Sequence, residues 1–122
     1  MATVRYLVND VDAAIAFYVD QLGFTLTERM GPPFAMVSRD DLRLWLSGPR
    51  TSAARPMPDG SAPAAGGWNR LVVEVPDIEE RVAALRAAGA RFRNEIVTGP
   101  GGSQILVEDP SGNPVELFQA QS

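Results

Sequence analysis

Three residue types are missing from this chain of 122 residues, and each absence closes off a chemistry. There is no cysteine, which excludes disulfides, thiolate nucleophiles and cysteine-held zinc. There is no histidine, so the usual general base near neutral pH and the commonest metal ligand are both lacking. Lysine is absent too: all eleven cationic side chains are arginine, which rules out Schiff-base chemistry and a phosphate-loop lysine. No charged-then-apolar leader is seen, and no apolar run approaches the roughly 18–20 residues of a membrane span. Any catalysis falls to Asp, Glu, Tyr, Ser, Thr, Arg, backbone groups or a bound ion. A net charge of −4 argues against nucleic acid and anionic membrane as partners. With 45% hydrophobic and 21% charged residues, the composition is that of one soluble globular domain, and a cytoplasmic location is expected.

What is present is organised twice over. The stretches YLVNDVDAAIAFYVDQLGF (6–24) and VVEVPDIEERVAALRAAGA (72–90) share a layout. Each is a short β-rich run ending in Val-x-Asp, then a helical pattern, then a glycine. In the first helix Val11, Ile15, Tyr18 and Leu22 recur at intervals of three and four, and Ile78, Val82 and Leu85 do so in the second. Asp10 and Asp77 stand at N-cap positions, with Glu80 three residues after Asp77 as in a capping box. Gly23 and Gly89 stand where left-handed residues end helices. Three strand-like runs follow each helix: 25–30, 34–39 and 42–47 in the first half, 90–97, 103–108 and 114–119 in the second.

The sequence thus predicts an α+β fold of two βαβββ modules in a single domain, 1–122. Module one covers 1–47 and module two 68–122. Residues 48–67, with four prolines, four glycines, five alanines and no periodicity, form a linker.

Two such modules, with VNDVDAAIAFYVDQLGF in the first and EDPSGNPVELF in the second, resemble the vicinal-oxygen-chelate superfamily of glyoxalases, bleomycin-resistance proteins and extradiol dioxygenases. The resemblance implies an incomplete eight-stranded barrel with a concave ligand cleft, usually in a homodimer. Metal-using members place ligands on the first strand of each module, usually histidine, and on the last strand, usually glutamate. Counting back from Val-x-Asp, the histidine positions fall on Thr3 and Arg70, and neither residue type serves as a metal ligand there. The run LRLWLS offers no carboxylate, so Glu116 alone remains of the four. One carboxylate does not hold a catalytic divalent ion, and no metal or cofactor is expected.

Strand parity sorts the remaining candidates. Val4, Tyr6 and Val8, like Leu71, Val73 and Val75, should pack beneath the helices. Thr3, Arg5 and Leu7, and Arg70, Val72 and Glu74, then take the opposite face. Arg70 and Glu116 are expected to form an ion pair, or a close water-bridged contact, in the cleft; a solvated pair is the alternative. Phe118 shares the parity of Glu116. Trp45 and Trp68 suit two roles equally, as ring-stacking platforms for a ligand or as packing residues. Phe17 and Tyr18 read as helix packing. The stretch TGPGGSQ (98–104) reads as a hairpin loop, and Arg81, Arg86, Arg91 and Arg93 as solvated faces balanced by Glu79, Glu80 and Glu95.

The ligand-binding set expected from the sequence is therefore Thr3, Arg5, Trp45, Trp68, Arg70, Val72, Glu116 and Phe118, with no catalytic residue assigned. The first functional reading is a metal-free protein that binds a small organic ligand, in the manner of the drug-sequestering members of the superfamily. The alternative is a lyase, isomerase or dioxygenase acting on a small carbonyl or vicinal-oxygen substrate, with Glu116 as proton shuttle. A third reading is a non-catalytic domain whose function is its dimer surface.

Overall fold

A computed structural model describes residues 1–121. It has the α+β architecture expected, with a four-stranded sheet laid out as βαβββ, a five-stranded sheet in which one expected strand is divided in two, and no closed barrel among the described residues. The chain divides into two units, Met1–Gly66 and the residues from Gly67 onward.

In the first unit, β1 (Ala2–Leu7) leads to α1 (Val11–Ala16), then β2 (Thr25–Arg29), β3 (Phe34–Arg39) and β4 (Leu42–Ser47). The strands are ordered β1-β4-β3-β2, with β1 parallel to β4 and the other pairs antiparallel. Asp10 caps α1 by accepting from the Ala13 amide at 3.1 Å. The helix then widens into a π-turn over Phe17–Gln21, a departure from the single regular helix that the 3–4 spacing implies. Consecutive Phe17 and Tyr18 are both buried there, and the Tyr18 ring meets Tyr6, Phe17 and Phe24 edge-on at 6.4, 5.1 and 5.4 Å. Widening the turn admits two successive rings to one side, which a strict 3.6-residue repeat does not. Gly23 closes the helix at φ +76°.

In the second unit, β5 (Leu71–Glu74) leads to α2 (Ile78–Ala87), capped by Asp77 through the Glu80 amide at 3.1 Å and ended by Gly89 at φ +89°. The run 90–97, expected to be one strand, divides into β6 (Arg91–Phe92) and β7 (Val97–Gly99). Its middle turns aside because the Asn94 side chain, through Oδ1, takes the Leu106 amide at 2.9 Å in place of a ladder bond. Both pieces pair with β8 (Gly102–Glu108), which pairs in turn with β9 (Pro114–Ala120), and β9 runs parallel to β5. Pro100 and Gly101 form the hairpin turn between β7 and β8, as read from TGPGGSQ.

Burial follows the expected parity. Tyr6, Val8, Ala35, Val37, Leu44 and Leu46 are buried in the first unit, and Leu71, Val73, Val75, Val115 and Leu117 in the second. The intervening strand residues take the opposite faces, and those faces carry the candidate site residues.

Candidate functional site

In the first unit the parallel register sets Thr3 beside Arg43, Arg5 beside Trp45 and Leu7 beside Ser47. On the other side of β4, Met36 lies beside Trp45 and Phe34 beside Ser47. Arg5 Nη1 donates to Ser47 Oγ at 3.0 Å, and the guanidinium lies over the Trp45 ring, 5.0 Å from its centroid. Phe34 meets the same ring edge-on at 5.9 Å. Trp45 Nε1 is sealed from solvent and has no acceptor, a state that costs about 1–3 kcal/mol. Packing and the stacked cation hold the indole there. Thr3 is exposed on the same face and takes no part in this cluster.

In the second unit Val72 stands beside Glu116 and Glu74 beside Phe118. The ion pair expected between Arg70 and Glu116 is present. Arg70 Nε and Nη2 both donate to Glu116 Oε1, at 3.1 and 3.0 Å, and Nη1 reaches the Trp68 carbonyl at 3.4 Å. Glu116 is only 8% exposed, whereas Val72 is 52% exposed beside it. Arg93 also packs on Trp68, its guanidinium 4.7 Å from the indole centroid.

Arg93 corrects the expectation of a solvated strand face. Its Nε donates to Glu108 Oε2 at 2.8 Å, Nη1 to the Gly67 carbonyl at 2.7 Å and Nη2 to the Gly112 carbonyl at 3.0 Å. The turn before β9 is built around the aspartate of EDPSGNPVELF, to which its place in the motif gave no role. Asp109, 1% exposed, accepts from the amides of Ser111 and Asn113 at 2.8 and 2.9 Å and from Asn113 Nδ2 at 3.0 Å. Its role is to fix the start of β9, and so the position of Glu116.

The two units are related residue by residue. Arg5 stands three residues before Val8 of one Val-x-Asp, and Val72 three before Val75 of the other. Arg5 pairs with Trp45, and Val72 with Glu116. Trp45 therefore occupies in the first unit the position Glu116 occupies in the second, and Thr3 corresponds to Arg70. The four positions carry Thr, Arg, Trp and one carboxylate already engaged by a guanidinium. These donors do not fit a divalent cation, which needs several oxygen or imidazole ligands. Among the described residues no group of three or more acidic side chains is placed to hold one.

The model of the glyoxalase/bleomycin resistance protein/dioxygenase superfamily matches residues 1–117. Among solved structures, a member of that superfamily from Sphaerobacter thermophilus DSM 20745 is 25% identical, with a TM-score of 0.76 over 98% of this chain and 95% of that one. TnmS3, an antibiotic binding protein from Streptomyces sp. CB03234, is 24% identical, with a TM-score of 0.73 over 98% and 93%. A lactoylglutathione lyase from Agrobacterium tumefaciens is 21% identical, with a TM-score of 0.75 over 98% and 92%. No curated protein gives a significant match. The paired βαβββ layout and a family match that spans nearly the whole chain agree: this protein belongs to the glyoxalase/bleomycin resistance protein/dioxygenase superfamily.

Proposed function

We propose that this chain is a metal-free small-molecule-binding protein that sequesters an organic ligand, with drug-like compounds as the first class to test. The observation that carries this reading is the Arg70–Glu116 pair. The carboxylate that resembles a metal ligand of the superfamily already has its cation, a guanidinium on the same module. Aromatic and apolar groups accompany it: Val72 beside Glu116, Phe118 two residues along the same strand and Trp68, whose carbonyl accepts from Arg70; on the other sheet Trp45 stands beside Arg5. These residues, with Thr3, are the proposed contacts. The antibiotic-binding relative TnmS3 supports the class of ligand without naming it for this chain. Action as a cytoplasmic homodimer goes with the same reading, and sedimentation equilibrium tests the dimer.

A second reading is favoured by one detail. Both donors of Arg70 converge on Oε1, so Glu116 Oε2 has no protein partner among the described residues and is free to take a proton from a carbon acid. One experiment separates the two. Titration of intrinsic tryptophan fluorescence with a panel of polycyclic and peptide antibiotics should give saturable changes with no turnover of the bound compound. Elemental analysis should find no stoichiometric divalent ion. A silent panel, or chemical conversion of the ligand that is lost in Glu116→Gln, overturns the binding reading.

A further inference from the structure

The first unit has a polar feature that pairwise contacts within the chain leave unmet. Trp45 Nε1 is a donor without an acceptor, and it stands at the register position where the second unit carries the carboxylate Glu116. An acceptor has been replaced there by a donor. The neighbouring charges have the same sense: Arg5 lies over the ring, and Arg43 is the next residue on that face two positions along β4. The strands of this sheet hold one acid, Glu28 on the edge strand β2, separated from Trp45 by Met36 on β3. Phe34, edge-on to the indole, and Met36, its register partner, border it with apolar surface.

We infer that the face of the first sheet opposite α1 binds a planar aromatic anion, a carboxylate or phenolate, whose oxygen accepts from Trp45 Nε1 and Arg5 while its ring lies beyond the indole edge, against Phe34 and Met36. This rests on the small-molecule-binding reading and narrows it to a ligand charge and shape. The position suits an anion and not a metal, because its charged and unsatisfied polar groups, Arg5, Arg43 and Trp45 Nε1, all donate. Arg5 is the gate. Its tether to the chain is one hydrogen bond to Ser47 Oγ plus the stacking contact over the ring, and the side chain is exposed, so a modest swing frees the indole and brings the guanidinium onto the incoming oxygen. An isolated cation would gain little from such a move; a charge-assisted bond to an anion supplies the difference.

The test uses the two indole N–H resonances of the 15N-labelled chain, assigned with Trp68→Phe. The probes are 2-naphthoate, 2-naphthamide and 2-naphthylmethylammonium, which share a ring system and differ in charge. The naphthoate should shift the Trp45 indole resonance saturably and downfield. The neutral amide should bind roughly tenfold more weakly, the loss expected for one charge-assisted hydrogen bond, and the cation more weakly still. Arg5→Leu, checked for folding by the rest of its amide spectrum, should lower naphthoate affinity by a similar roughly tenfold factor and leave the amide unchanged. Equal affinity for all three probes, or a shift confined to Trp68, overturns the anion site while leaving the chain a small-molecule binder. No binding by any of the three also defeats it, and the broader antibiotic panel then decides the parent reading separately. If Arg5→Leu keeps full naphthoate affinity, the assignment of Arg5 fails.

Discussion

Arg70 points two nitrogens, Nε and Nη2, at a single oxygen of Glu116. This is not the two-oxygen fork of a surface arginine on a carboxylate, and the acid it meets is nearly buried. Removing one partner should therefore cost more than removing both. Arg70→Met should destabilise the chain by about 1–3 kcal/mol, because it strands a desolvated carboxylate. The low end is expected, since the arginine side chain itself is 31% exposed. Adding Glu116→Gln should recover about 1 kcal/mol of that loss. Urea unfolding of the two single variants and the double variant measures the coupling; simple additivity would show that the pair is only a contact.

Asp109 is the more demanding position. Two backbone amides and one side-chain amide depend on its carboxylate, and it is almost wholly buried. Asp109→Ala leaves those donors without an acceptor and should cost roughly 2–4 kcal/mol. Asp109→Asn retains one acceptor oxygen and should cost less than half as much. Thermal denaturation followed by far-ultraviolet circular dichroism ranks the two. Equal losses would mean that side-chain shape, rather than the acceptor atoms, holds the turn.

Two adjacent glycines should respond in opposite ways. A Cβ on Gly102 falls against the Gln119 carbonyl across the β8–β9 ladder, at a φ of +147°. A Cβ on Gly101 meets nothing within 4 Å. Gly102→Ala should therefore cost at least about 2 kcal/mol, and Gly101→Ala less than about 0.5 kcal/mol. Because the clash lies on the β8–β9 ladder and not on the sheet that carries Trp45, Gly102→Ala should lower the melting temperature more than it alters naphthoate binding. Comparing melting temperature with naphthoate affinity for the same protein checks that.

Much of this was legible in the residues because the governing signals are local. Val-x-Asp followed by a helical period fixes an N-cap and a buried face, and Asp10 and Asp77 cap as their spacing requires. Alternation places Arg70 and Glu116 on one face of the second sheet, and their opposite charge does the rest. Other features escaped for physical reasons. The π-turn at Phe17–Gln21 answers the packing of three further rings around Tyr18, which no 3–4 spacing encodes. The break at 93–96 depends on a side-chain acceptor, Asn94, outcompeting a ladder bond from another strand. The correspondence of Trp45 with Glu116 needs strand register, because the loops between them differ in length and counting along the chain does not align them.

Arg93 offers the strongest test of a role that alternation hid. Its guanidinium joins three partners 15 to 26 residues away from it, Gly67, Glu108 and Gly112, while lying over the Trp68 ring. Only the planar fork of arginine reaches two carbonyls and a carboxylate while stacking on an indole, and an ammonium has neither the shape nor the reach. Arg93→Lys should thus behave almost as badly as Arg93→Ala, each losing about 1–2 kcal/mol. The carbonyls of Gly67 and Gly112 recover water, which keeps the loss from being larger. The distinguishing readout is optical. In Trp45→Phe protein, where Trp68 is the sole emitter, Arg93→Lys should shift the emission and increase quenching by acrylamide as the stacked cation leaves. Arg91→Ala, at a side chain 73% exposed and 3.9 Å from Glu108, should change neither stability nor emission. If Arg93→Lys keeps both at the parent values, the contacts around Trp68 are ordinary surface solvation.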